Sequence, residues 1–152
     1  MEMYNITLIS TFHSEVGNCN SEELYKIIES IDPEVIFEEL PVNLHKRVYE
    51  ANNFPDEPLE LKCIRKYLET HHIKNIPVYI DPATSVSKRD IENMFNLFKK
   101  YPAYNQLEYE QYLQMQRYGF AYLNSDKYSE AFEQIKAFQK NLLGFAVSAN
   151  LL

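Results

Sequence analysis

The chain has 152 residues, of which 45% are apolar and 24% charged, and this balance predicts one globular domain with a sizeable core. The net charge of −7 argues against non-specific nucleic-acid binding, which needs a basic surface, and against docking on anionic lipid. Twelve Tyr and nine Phe, with no Trp, make the chain rich in aromatic side chains.

The predicted elements begin with a β-α-β unit. An apolar, β-branched run opens a first strand over residues 6–12, and a similar run forms a second strand over residues 34–39. Between them, Ser21 is a predicted helix N-cap because two glutamates follow it, and Asp32-Pro33 ends the helix. The apolar residues of this helix recur at helical spacing: Leu24, Ile27, Ile28 and Ile31.

Two helices and a third strand follow. One helix begins near Asn43, and the next runs from Leu59 to about His72. The third strand covers residues 76–81, with Pro77 near its start, where a missing amide donor is tolerated. These elements predict a small parallel sheet of three or more strands, with helices on its faces and right-handed crossovers.

After the third strand, the pattern predicts helices alone, with a break at Gly119. The predicted helices run from Ser85 or Ser87 to Tyr101, from Tyr104 to Tyr118, and from Ser125 onward. The predicted fold class is therefore α/β with an all-helical C-terminal half, in a single domain of residues 1–152. Its strand-containing core is 1–82 and its helical half is 83–152. The apolar C-terminus predicts either a truncated chain or a tail that needs a partner.

Polar residues stand at the ends of the three predicted strands. They are His13, the Glu38-Glu39 pair and Asp81. The carboxyl ends of parallel strands meet at one edge of a sheet, where open α/β sheets hold their ligands, so we expect these side chains to converge. Imidazole and carboxylates suit a divalent Zn, Mn, Fe or Co ion, with His13, Glu39 and Asp81 as ligands. The same residues can do metal-free acid–base work, or be ordinary capping and turn residues.

The two adjacent glutamates are not equivalent. Successive side chains of a strand point to opposite faces, so only one of Glu38 and Glu39 is expected to share a crevice with His13. The other is expected to pair with a basic neighbour, for which Arg47 and His45 are candidates, or to be solvated.

The opening stretch resembles the TraB/TIKI superfamily, which also takes in the erythromycin-esterase and ChaN-like folds. Members begin with a Gly-x-x-His motif on the first strand and carry a Glu at the end of the next. The counterparts here are Ser10-Thr11-Phe12-His13 and Phe37-Glu38-Glu39-Leu40, and Glu39 is the better match because it directly precedes Leu. The resemblance covers about the first eighty residues and implies metal-dependent peptidase chemistry, or haem binding in the ChaN-like branch.

Three departures from the family pattern affect what the resemblance implies. Ser10 replaces the motif glycine, and Arg47 is the nearest match to an arginine expected soon after the glutamate. No histidine occurs after His72, so the family's late second Gly-x-x-His motif has no counterpart. The resemblance therefore implies a partial or degenerate site.

The predicted function is a metal-dependent hydrolase of the peptidase or esterase type. The metal activates a bound water, and Glu38 or Glu39 accepts its proton. The alternative is a non-enzymatic ligand-binding or protein-interaction module that uses the same crevice. The expected substrate is a peptide or small molecule, without nucleic acid or membrane as partners.

Self-association and location are predicted from the remaining features. The aromatic second half and the apolar tail from Leu142 to Leu152 predict a homodimer. The sequence shows no signal-peptide pattern and no apolar stretch near the ~20 residues of a membrane span. Cys19 and Cys63 lack metal-type spacing, so we expect reduced thiols and a cytoplasmic location.

Overall fold

The computed structural model describes residues 5–50, 57–79 and 87–148, with side chains as far as residue 144. The elements in chain order are α1 (Ser21–Ile31), β1 (Val35–Pro41), α2 (Val42–Glu50), α3 (Leu59–Leu68), β2 (Lys74–Tyr79), α4 (Lys88–Phe98), α5 (Pro102–Leu123) and α6 (Asp126–Ser148). Within this part of the chain, no helix combines the length and the apolar character needed to cross a bilayer.

The described residues form two compact units, which we call the sheet unit and the helical unit. The sheet unit consists of residues 12–15, 19–50 and 57–79. The helical unit consists of residues 5–11, 16–18 and 87–148. Both strands and α1 to α3 therefore belong to the sheet unit, whereas two short N-terminal segments belong with α4 to α6.

The sheet has two strands within the described residues, β1 and β2, and they run parallel. The prediction of a sheet with three or more strands is therefore wrong. Two of the predicted strands are present with slightly different bounds, namely 34–39 as β1 and 76–81 as β2. Residues 80 and 81 lie outside the described residues. The first predicted strand, 6–12, does not form.

Within residues 6–12, the backbone of Ser10 is hydrogen bonded to the end of α5 instead of to a neighbouring strand. Ser10 N donates to Oδ1 of Asn124 at 2.6 Å, and Nδ2 of Asn124 donates to Ser10 O at 3.1 Å. Asn124 is the residue that ends α5. Ile6 and Leu8 are 91% and 90% exposed, so these two side chains gain almost none of the burial that a sheet would give them. A β-prone segment becomes a strand only where a neighbouring strand and a packing surface are present.

Helices α1 and α3 pack together in the sheet unit. Asn20 caps α1, because its Oδ1 accepts from Glu23 N at 3.0 Å, and the predicted cap Ser21 is the first helical residue. Tyr25 and Tyr67 meet edge to face, with ring centroids 5.8 Å apart. The buried apolar residues of the two helices are Leu24, Ile28, Leu59, Leu61, Cys63, Ile64 and Tyr67.

Helix α5 is interrupted at Gly119, as the sequence predicts. Gly119 has φ 55° and ψ −136°, which leaves the preceding carbonyl groups free to accept from outside the helix. Gln116 O accepts from Asn18 N at 3.0 Å, and Arg117 O accepts from Nδ2 of Asn18 at 2.7 Å. The buried cluster of this unit centres on Phe98, Tyr104 and Ile135.

The two thiols give a prediction about reactivity and pH. Cys19 and Cys63 are 0% and 1% exposed, and burial raises the pKa of each thiol from 9.0 to about 11, with the charge of Glu60 adding to the effect at Cys19. We expect the native protein to react slowly with Ellman's reagent at mildly alkaline pH, and the denatured protein to react fully. Rapid labelling of either thiol in the native protein would contradict this burial.

The same shifts set the direction of a pH effect on stability. A thiol whose folded pKa lies above its unfolded value stabilises the fold below the unfolded pKa, and this contribution is lost as pH rises through the folded pKa. We therefore expect the thermal midpoint to fall as pH rises from 9.0 to about 11. A midpoint unchanged over this interval would contradict the expectation.

Candidate functional site

The glutamate that the sheet buries is Glu38, which is 4% exposed. Its Oε2 accepts from Tyr49 Oη at 2.8 Å and from Asn75 Nδ2 at 2.9 Å. Asn75 Nδ2 also lies 3.3 Å from Nε2 of His45, whose ring packs against Tyr49 with centroids 4.8 Å apart. Burial, and then the charge of Glu38, raise the pKa of Tyr49. The cluster ties β1, β2 and α2 together through one carboxylate.

Glu39 lies on the opposite side of β1 and is exposed. The predicted inequivalence of the two glutamates is thus visible in their burial. His45, a predicted partner, lies in the Glu38 cluster through Asn75. The third predicted ligand, Asp81, lies outside the described residues.

His13 lies against the first turn of α3. Its backbone carbonyl accepts from Leu59 N at 2.9 Å, and its ring Nδ1 hydrogen bonds to Oε1 of Glu60. Because a carboxylate can only accept, Nδ1 carries the proton in this pair and Nε2 is the ring nitrogen left for another group. The side chain of His13 is 75% exposed, whereas that of Glu60 is 19% exposed. Two contacts from one helix turn therefore hold an imidazole at the surface.

His13 was expected to meet Glu39 because their strands were predicted to be neighbours. Since residues 6–12 form no strand, that reason for convergence is absent, and the described partner of His13 is Glu60. A shared site of His13 and Glu39 stays a prediction.

A cavity of about 240 Å³ opens beside the His13–Glu60 pair, within the sheet unit. It is lined by His13, Ser14, Glu15, Glu57, Leu59 and Lys62. Lys62 Nζ lies 3.6 Å from Oε1 of Glu15, and hydrogen bonds from Ser21 lower the pKa of that carboxyl. Glu57 pairs with Arg65 at 3.0 Å. The cavity thus holds an ammonium group and an oriented imidazole.

The nearby thiol is not suited to nucleophilic attack. Cys19 is buried, and burial together with the charge of Glu60 raises its pKa to about 11. A neutral thiol is a poor nucleophile, so Cys19 is an unreactive neighbour of the pair. Oε2 of Glu60 is buried and has no hydrogen-bond partner among the described residues. The imidazole of His13, whose Nε2 is left for another group, can exchange a proton with a ligand here.

The metal implied by the family resemblance fits the described residues only in part. His13 and Glu60 are an imidazole and a carboxylate in contact, but the described residues contain no group of three or more His, Cys, Asp or Glu side chains that could hold an ion. The predicted ligand set of His13, Glu39 and Asp81 therefore stays a prediction.

No motif in the sequence marks Glu60, Tyr49 or Asn75 as part of a site. Glu60 lies in the first turn of a helix, where an acidic residue is ordinary because of the helix dipole. It is 47 positions from His13, and only the docking of α3 joins them. Asn75 is likewise 37 positions from Glu38. Asn75 directly precedes the predicted strand 76–81, so the strand pattern contained no signal that could have identified it.

Comparison with protein-family models, curated proteins and solved structures finds no match to this chain. The resemblance to the TraB/TIKI superfamily therefore stays a prediction from the opening motif.

Proposed function

We propose that this chain is a hydrolase of ester or peptide bonds in which His13 is the general base and Glu60 positions it. The observation that supports the proposal is the hydrogen bond from Nδ1 of His13 to Glu60, which leaves Nε2 of an exposed imidazole beside a cavity. A carboxylate on one ring nitrogen sets the tautomer and orientation of a catalytic histidine. The proposal keeps His13 from the sequence prediction and replaces Glu39 with Glu60 as its partner.

The reaction needs two proton transfers. Nε2 of His13 accepts a proton from water as the water oxygen bonds to the substrate carbonyl carbon. The carbonyl π pair moves onto oxygen and gives a tetrahedral oxyanion. When the carbonyl re-forms, the bond to the leaving group breaks, and His13 returns the proton to the leaving amine or alkoxide. Glu60 stabilises the imidazolium between the two transfers.

Lys62 is the residue suited to the developing oxyanion. It is the ammonium group among the residues that line the cavity, and its Nζ lies 3.6 Å from Oε1 of Glu15, which also lines the cavity. A cation placed where negative charge develops favours the transition state over the ground state. Small-molecule pockets usually span about 300–1,000 Å³. The smaller cavity favours a short acyl group or a single amino-acid side chain.

The cytoplasmic location is part of this proposal. Cys19 and Cys63 are both free and buried. Free thiols support a reducing compartment, because disulfides form and persist in oxidising compartments and are rare in the cytosol.

Hydrolysis of p-nitrophenyl acetate and of an amino-acid p-nitroanilide tests the proposal. We expect His13→Asn to lower kcat/KM at least about a hundredfold, because general-base catalysis contributes roughly that much or more. His72→Asn is the matched control, since His72 is exposed and belongs to the same unit. Wild-type activity in His13→Asn, or equal losses in both variants, would contradict the proposal.

The variant Glu60→Gln tests whether Glu60 orients the imidazole of His13 or binds the substrate. We expect it to lower kcat about ten- to a hundredfold with a smaller change in KM, because a positioning residue acts on the imidazole and not on the substrate. Circular dichroism of each variant establishes that the fold is retained. A change confined to KM would assign Glu60 to substrate binding instead.

A further inference from the structure

The sheet of the sheet unit has an apolar face that is open to solvent. Phe37 of β1 is 66% exposed, and Ile76 and Val78 of β2 are 37% and 51% exposed. Phe37 lies directly opposite Ile76 in the parallel register, so their side chains share one face. Helix α2 contacts the other face through the Glu38 cluster. We call the exposed side, with Phe37, Ile76 and Val78 at its centre, the open face.

An uncovered face is unusual for parallel strands. Parallel sheets almost always have both faces covered, because their crossover helices lie on them. A two-stranded sheet is also too small to be stable without packing. Among the residues that the structure describes, the helix on one side of β1 and β2 is therefore half of the cover that this arrangement normally has.

The ends of the open face carry opposite charges. Lys74 is exposed at the start of β2, opposite Val35. Its side chain lies on the same face as those of Ile76 and Val78, because the three residues are two positions apart. Glu39 is exposed near the end of β1, two residues after Phe37, so the two side chains lie on the same face. The face therefore runs from a cation at the amino end of the strands, through an apolar centre, to an anion at the carboxyl end.

This charge order is self-complementary in one orientation. If two copies stack with their strands antiparallel, a two-fold axis through the Phe37–Ile76 row places each Lys74 diagonally across from Glu39 of the other copy. Stacked sheets lie about 10 Å apart, which the two long side chains together span. A parallel stack would bring the two Lys74 ammonium groups together, and the two Glu39 carboxylates as well. Charge complementarity therefore fits a second copy of the chain as partner and favours the antiparallel direction over the parallel one.

We propose that the open face is the contact surface of a homodimer, in which a second copy of this chain stacks antiparallel on it. A two-fold axis is the commonest way to cover such a patch, because one surface serves both copies. The contact is small, so we expect a dissociation constant of about 10–100 µM, as for weak and transient interfaces. The proposal does not depend on the hydrolase site, and none of its residues lines that cavity.

Sedimentation equilibrium over about 5–500 µM protein measures the association at low salt. We expect Phe37→Ser to raise the dissociation constant at least about tenfold, because aromatic anchors dominate such contacts. Lys74→Glu and Glu39→Lys should each weaken the dimer about three- to tenfold, since each places like charges across the interface. Lys127→Glu is the control for net charge, because Lys127 is exposed on α6.

The charge changes also test the orientation. The double variant Lys74→Glu with Glu39→Lys restores the opposite pairs, so its dissociation constant should return to within about threefold of the wild type. An equimolar mixture of the two single variants should associate more tightly than either alone, because their charges are then complementary. Circular dichroism checks that every variant is folded.

Three results would overturn the proposal. The first is a monomeric mass at every concentration. The second is a dimer that tolerates Phe37→Ser, which would place the contact on another surface. The third is a double variant as weak as the sum of its single changes, which would reject the antiparallel orientation.

Discussion

Replacing Gly119 with alanine is expected to lower the free energy of unfolding by about 3 kcal/mol or more, from backbone strain and overpacking together. The residue has φ 55° and ψ −136°, a conformation that side-chain-bearing residues rarely adopt. An added Cβ would meet the carbonyl oxygen of Asn18 and lie 2.7 Å from its carbonyl carbon. Both atoms are backbone, so a rotamer change cannot relieve the contact.

The structure can relax only by losing other interactions. If α5 straightens at position 119, Gln116 O and Arg117 O are drawn back into the helix, and the two hydrogen bonds from Asn18 are lost. If the segment around Asn18 moves away, the same two bonds break. Each lost hydrogen bond costs about 0.5–1.5 kcal/mol. The strain and the lost bonds therefore act in the same direction.

Urea unfolding of Gly119→Ala and Gly144→Ala tests this account with a matched pair. Gly144 lies in α6, and an added Cβ there meets no described atom within 4 Å outside its chain neighbours and its own helix backbone. Alanine is the better helix former by about 1 kcal/mol, so Gly144→Ala should be neutral or slightly stabilising. If the two variants had equal stability, the interruption at Gly119 would not be required.

Replacing Glu38 with alanine is expected to cost about 2–4 kcal/mol of stability, because two half-buried donors lose their charged acceptor and a small cavity is left. Those donors are Tyr49 Oη at 2.8 Å and Asn75 Nδ2 at 2.9 Å. The carboxylate is also the group that joins β1 to both β2 and α2. Its loss should weaken the docking of α2 on the sheet.

Two further variants test whether the loss of stability comes from the missing acceptor and from the burial of residue 38. Glu38→Gln keeps an acceptor oxygen and similar volume, so we expect about half the loss or less, since one neutral hydrogen bond contributes roughly 1 kcal/mol. Glu39→Ala removes the exposed neighbour and should change stability by no more than about 0.5 kcal/mol. Protein at a few micromolar, below the expected dimer dissociation constant of about 10–100 µM, keeps association out of the comparison. A loss for Glu39→Ala as large as that for Glu38→Ala would show that burial is not the cause.

Local sequence patterns determine most of the helices and strands. Ser87, one of the two serines predicted to begin this helix, caps α4 and forms a capping box with Asp90. β1 and β2 follow from short apolar runs that Pro and Asp residues bound, and Gly119 interrupts α5 where a break was expected. These features depend on neighbours within a few residues, which is the range that periodicity and capping describe.

Whether residues 6–12 form a strand depends on contacts with residues far along the chain. Ile6 to Ile9 has the composition of a strand, yet Ser10 is bonded to Asn124, which is 114 positions away. Strand propensity describes how well a residue fits a pleated surface, and not whether that surface exists. The number of strands was therefore beyond what the pattern could determine.

In the candidate site, too, some features follow from the local sequence and others from the tertiary structure. The sequence by itself singled out His13 as a chemically capable residue and established that Glu38 and Glu39 must face opposite sides of a strand, because side chains alternate. Only the tertiary structure decided that Glu38 is the buried one, that Tyr49 and Asn75 bind it, and that Glu60 is the partner of His13. The reason is that alternation and helical spacing are local properties of the backbone. The partner of a side chain depends on how distant elements dock, and here that is the docking of α2 on the sheet and the hydrogen bond from Leu59 N to the His13 carbonyl at the first turn of α3.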